Sequence, residues 1–123
     1  GVPENYAEAV TWYRLAAEQG YEKAQNKLGA MYSSGDGVPE NYAEALTWYR
    51  AAAEQGNARA QYSLGLMYDS GNGVPENDSV AVKWYRLAAE QGHANARYRL
   101  KFMDDYGFGV SESDAEVVKS GIQ

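Results

Sequence analysis

The chain has 123 residues, with 17 acidic against 11 basic side chains, no cysteine and one histidine. That balance argues against a nucleic-acid binder, which neutralises phosphates with clustered cations, and the missing cysteines exclude disulfides and thiolate metal sites. No apolar run approaches the ~18 residues of a membrane-spanning helix, so no membrane insertion is expected.

In chain order, Asn5 and Glu8 have the spacing of a capping box, and Tyr6, Ala9, Val10, Tyr13, Ala16 and Ala17 recur at three and four. A helix is predicted over 4–19, stopped by Gly20. A shorter helix follows, with Ala24, Leu28, Met31 and Tyr32 as its buried stripe and Gly29 where a missing side chain admits a neighbouring helix. Gly35 ends it, and a Gly-Asp-Gly-Val-Pro loop resets the chain, with Pro39 suited to the first turn of the next helix.

This pattern returns with a period of 36 residues: Gly-Val-Pro-Glu-Asn starts at Gly1, Gly37 and Gly73, Trp-Tyr-Arg at Trp12, Trp48 and Trp84, and Ala-Ala-Glu-Gln-Gly at Ala16, Ala52 and Ala88. Long helices are predicted over 40–55 and 76–91 and short ones over 58–70 and 94–106, although the third long helix has Val80 where the capping box needs Glu. A fixed period of this length is the signature of stacked helix pairs, each touching only its neighbours. The expected organisation is one array over 1–123, with units 1–36, 37–72 and 73–108 and a degenerate cap at 109–123. Ser113 and Glu116 open a last short helix there, and Ser120 and Gly121 stand where Trp-Tyr stood before. The fold class is therefore all-α, an α-solenoid of about seven helices. Lys101 in place of the packing Gly and Asp104 in place of a core Tyr read as the polar end that keeps a stack soluble. The chain opens inside a repeat with no comparable cap, so a longer parent array is expected on that side.

From Asn41 to Pro75 the joint pattern of Trp-Tyr, Ala-Ala-Glu-Gln-Gly, Leu-Gly-x-Met-Tyr and Gly-x-Gly-Val-Pro resembles the Sel-1-like repeat, a relative of the tetratricopeptide repeat. The resemblance covers nearly the whole chain, with departures at Lys101, at Asp78-Ser79 for Tyr-Ala and in the tail. It implies a right-handed superhelix of antiparallel helix pairs whose shorter helix lines the concave side. It also implies an adaptor or scaffold role in multiprotein complexes, as a rule without catalysis.

Comparing the copies with one another separates packing from variation. The short helices agree at the Ala24, Leu28 and Met31 positions and differ at Lys23/Arg59/Asn95, Asn26/Tyr62/Tyr98, Lys27/Ser63/Arg99, Ala30/Leu66/Phe102 and Ser33/Asp69/Asp105. Offsets of three and four place the varied residues on one face, opposite the packing stripe. In the family's geometry this is the concave groove: cations in the early turns, Tyr62, Leu66, Tyr98 and Phe102 in the middle, Asp69 and Asp105 at the far end. The expected partner is a protein or peptide segment in that groove, since Tyr and Arg dominate interface energies when desolvated. By analogy with tetratricopeptide domains, Lys23, Asn26, Lys27 and Arg59 would hold a carboxylate. The rival readings are neutral drift on a solvated face, a structural spacer, self-association through the helix at 4–19, and a consensus-like engineered repeat with no ligand.

The remaining motifs favour structural roles. His93 reads as a helix cap or a solvent-facing side chain, because nothing titratable accompanies it in every copy. Trp12, Trp48 and Trp84 read as packing plates, and the acidic residues from Asp104 to Glu116 lack the order of a calcium loop. The glycine-rich loops lack a phosphate-binding lysine. No Ser has Lys three residues on, so no activated nucleophile is present, and neither enzyme activity, a metal nor a cofactor is expected. Composition leaves the cellular compartment open.

Overall fold

The computed structural model describes residues 5–106, and side chains as far as residue 103. Its helices are α1 (Tyr6–Glu18), α2 (Glu22–Ser34), α3 (Tyr42–Glu54), α4 (Ala58–Ser70), α5 (Asp78–Glu90) and α6 (Ala94–Tyr106). No strand occurs among the described residues. Substantial contacts join consecutive helices only, so the chain is a solenoid of helix pairs. The seventh helix, expected within 109–123, lies outside the described residues.

The short helices α4 and α6 have the expected bounds, while α3 and α5 start two residues later than expected. Pro39 and Pro75 stay in the loops because Asn41 and Asn77 are the caps, each in extended backbone and each accepting through its side chain from Glu44 N and Val80 N at 3.1 Å. Only half of the capping box forms. The Asn41 N–H donates to Tyr32 O of the preceding helix, which leaves Glu44 free to accept from Trp48 Nε1 instead. This explains how Val80 is tolerated: Asn77 N is already satisfied by Tyr68 O. Asn5, with no described helix before it, makes no side-chain cap bond at all. Asn41→Ala is therefore expected to cost about 1 kcal/mol. Glu44→Ala is expected to cost less than half of that, as urea denaturation of the two variants will check.

Each layer is thin because the long helices bury alanines, among them Ala45, Ala52, Ala53, Ala81, Ala88 and Ala89, and the short helices insert Leu28, Leu64 and Leu100. Layers are joined by a ring over a glycine. A Cβ placed on Gly29 would lie 2.8 Å from the Tyr49 ring, and one on Gly65 would lie 2.6 Å from the Tyr85 ring. The neighbour that the Leu-Gly pair admits is thus the Tyr of the next Trp-Tyr pair.

A polar seam runs beside this contact. Gln25 donates to Ala17 O at 3.1 Å and accepts from Gln55 Nε2 at 2.9 Å, and Gln55 also donates to Gly20 O. One unit on, Gln61 donates to Ala53 O at 3.2 Å and accepts from Gln91 Nε2 at 3.0 Å, while Gln91 donates to Gly56 O. Both inner glutamines are buried, and every layer is tied to the one before it by the same amide bonds.

Candidate partner-binding face

The residues that vary between copies lie on α2, α4 and α6, outside the buried core. Lys23, Lys27, Arg59, Asn95, Tyr98 and Phe102 are exposed, with Tyr98 at 69%, while Asn26, Ala30, Tyr62, Ser63, Leu66, Asp69 and Arg99 are half-buried. The Asp105 side chain lies outside the described set.

They do not behave as one graded strip. Lys23, Lys27 and Arg59 make no ion pair among the described residues, which distinguishes them in a chain of net charge −6. Tyr62 and Leu66 lean onto the third unit: Tyr62 stacks on His93 with ring centroids 4.7 Å apart and meets Tyr85 at 5.7 Å. These two side chains are partly stacking residues. Arg99 is not an open cation either. It lies 4.0 Å from Asp69 and hydrogen-bonds Tyr62, which raises its pKa.

The half-buried positions assemble at the junctions between units. Ser33, Tyr42, Ser63, Leu66 and Met67 line a cleft of about 200 Å³ at the first junction, together with Tyr49. The residues 36 positions on, Asp69, Asp78, Arg99, Phe102 and Met103, line a cleft of about 280 Å³ at the second, together with Glu76. The same site is therefore built twice with different chemistry. In the first, Tyr49 faces the hydroxyls of Ser33 and Ser63, and burial raises its pKa. In the second, Tyr85 donates to Asp69 at 2.9 Å, and burial followed by the Asp69 charge pushes its hydroxyl well above the ordinary range. Burial, and then the repulsion of Asp69, also raises the Asp78 carboxyl. Sequence comparison missed Tyr42 and Asp78 because they sit on the long helices. The available signal was that Asp78 breaks the Tyr-Ala pattern of the other copies.

His93 caps α6, its Nδ1 accepting from Ala96 N at 3.2 Å, where Asn57 caps α4 through Oδ1 and Tyr21 makes no side-chain cap bond. Partial burial, and secondarily Arg59, lowers its pKa below the ordinary 6.5. The unfolded chain then binds the proton more readily than the folded one. The His93 contribution to stability is complete above about pH 6.5 and is lost as pH falls from there through the lower folded-state value. Amide exchange in α6 is expected to quicken on acidification through that window, and His93→Asn to flatten the response.

Layers that touch only their neighbours, with a cleft rebuilt at each junction, define a helical-repeat solenoid. The Sel1 repeat family model matches residues 1–21, 22–57 and 58–93, and the chain belongs to that family. A protective antigen of uropathogenic Escherichia coli strains with an SLR fold is similar at 42% identity and a TM-score of 0.84, over 94% of this chain and 25% of that one. A Sel1 repeat protein from Oxalobacter formigenes is similar at 39% identity and a TM-score of 0.82, over 96% of this chain and 48% of that one. This chain thus spans about a quarter and about half of the two. No curated protein sequence matches it significantly. Sel1 repeat proteins are commonly protein-interaction scaffolds and generally not enzymes. No helix among the described residues is long and apolar enough to cross a membrane.

Proposed function

We propose that the chain is a scaffold segment that holds an extended stretch of a protein partner along α2, α4 and α6. The supporting observation is the repeated cleft: the framework around it is the same at both junctions, while the side chains inside it change from Ser33, Tyr42, Ser63 and Leu66 to Asp69, Asp78, Arg99 and Phe102. Packing alone requires the framework and not the change. Lys23, Lys27 and Arg59, without ion pairs, favour carboxylates in the partner at the early end. The second cleft has three carboxylates to one guanidinium and favours a cationic or hydrogen-bond-donating side chain. Exposed Tyr6, Trp12 and Leu15 on α1 favour a separate contact at that end of the stack.

The test is photo-crosslinking from residue 27 and from residue 102, with residue 83 on the exposed side of α5 as the control. Both cleft-face positions are expected to capture one partner segment, and residue 83 none. Lys27→Glu with Arg59→Glu should then weaken that partner by about tenfold, near 1.4 kcal/mol. Unchanged affinity with both charges reversed discards the reading.

A further inference from the structure

α1 exposes Trp12 at 65% and about half of Tyr6 and Leu15. By contrast, Trp84 is half-buried against a cluster whose buried members all lie between Val10 and Met67, the layers before it. At both junctions the incoming long helix makes the same contacts: a Tyr ring over a Gly, and a Gln amide to a Gly carbonyl and to a Gln side-chain oxygen. The receiving helix carries Gln-x-x-Leu-Gly in both cases, Gln25 to Gly29 and Gln61 to Gly65. α1 has the incoming set, Tyr13 and Gln19, and no described layer receives it.

The opposite end of the stack cannot supply the receiving set. In α6, Arg97 and Lys101 occupy the Gln and Gly positions. Arg97 Nε reproduces the inner bond by donating to Ala89 O at 3.2 Å, but a guanidinium offers no acceptor to an incoming Gln amide. Lys101 places a side chain where the incoming Tyr ring would lie. A second copy of this chain therefore cannot seat its α1 on this α6.

We propose that the exposed face of α1 is a docking surface for the second helix of a further Sel1-type unit carrying Gln-x-x-Leu-Gly, and not for another copy of this chain stacked head to tail. The glycine admits the Tyr13 ring, the glutamine oxygen accepts from Gln19, and Trp12 is covered.

The test joins an extra copy of residues 37–72 ahead of Gly1 of the full chain, with every Trp except Trp12 changed to Phe. With the added unit folded, as additive helical circular dichroism will establish, Trp12 emission is expected to shift to the blue and its iodide quenching to fall severalfold. Gly65→Lys within the added copy is expected to return quenching to the level of the unextended chain. Trp12 that stays equally quenchable beside a folded added unit overturns the proposal, as does a lysine-bearing unit that protects it equally. The unextended chain is expected to sediment as a species that does not grow head to tail with concentration. Growth that Tyr13→Ala abolishes would establish the second copy as the occupant instead.

Discussion

Gly65→Leu is expected to undock the third helix pair while leaving the first two folded. A Cβ at this position meets the Tyr85 ring at 2.6 Å and Ala81 O at 3.3 Å, and Tyr85 is fully buried, so neither the ring nor the backbone beside it has anywhere to move. Overpacking costs about 1–3 kcal/mol where side chains can shift, and a leucine driven against a fixed helix belongs at or above the top of that range. Because stability in a solenoid is a sum of unit and junction terms, the loss falls on one junction. Urea unfolding should separate into two transitions, the earlier one followed by Trp84 and the later by Trp48. Tyr85→Ala in the same chain should recover part of the loss, giving a coupling energy of about 1–3 kcal/mol in a double-mutant cycle. A single transition shifted by less than about 1 kcal/mol would mean that the ring-over-glycine contact does not set the layer spacing. The chain's own departures fit the rule: where Lys101 replaces the glycine, the residue at the later tyrosine position is Gly121.

The architecture was legible because it is written three times. The 36-residue period, the glycines after each helix and the apolar stripes fixed the helix pairs, and α4 and α6 have the bounds those signals gave. The long helices were read too long because Pro39 resembles a helix start by itself. Which residue caps is decided by Tyr32 O, a partner from the preceding helix that holds Asn41 extended. The face of α2, α4 and α6 was legible as variation between copies, but its clefts were not. A cleft needs the long helix of one unit beside the short helices of two, and the Asp69–Arg99 pair spans separate units. Gln25, Gln61 and their partners read as ordinary polar positions, since nothing in a single helix pattern marks a glutamine whose contacts lie in the next layer.

Those glutamines supply the second large effect. Gln61→Leu is expected to cost about 2–3 kcal/mol, although leucine is close in size and a better apolar core residue. The side chain is buried, its amide satisfies Ala53 O at the end of α3, and its oxygen receives Gln91 Nε2 at 3.0 Å. Leucine leaves that carbonyl buried without a donor and deprives Gln91 of one acceptor, and an unmade buried bond costs about 1–3 kcal/mol. Gln91 keeps its bond to Gly56 O, so the penalty should stay nearer one unmet group than two. The control is internal. Gln55→Ala removes bonds to Gly20 O and Gln25 Oε1 and should cost about 1–2 kcal/mol. Gln19→Ala, at the equivalent place on α1, is exposed and should change little, because no described layer stands before it. If chemical denaturation finds Gln19 and Gln55 equally costly to remove, the amides act within their own helices and the seam between layers is not what they hold.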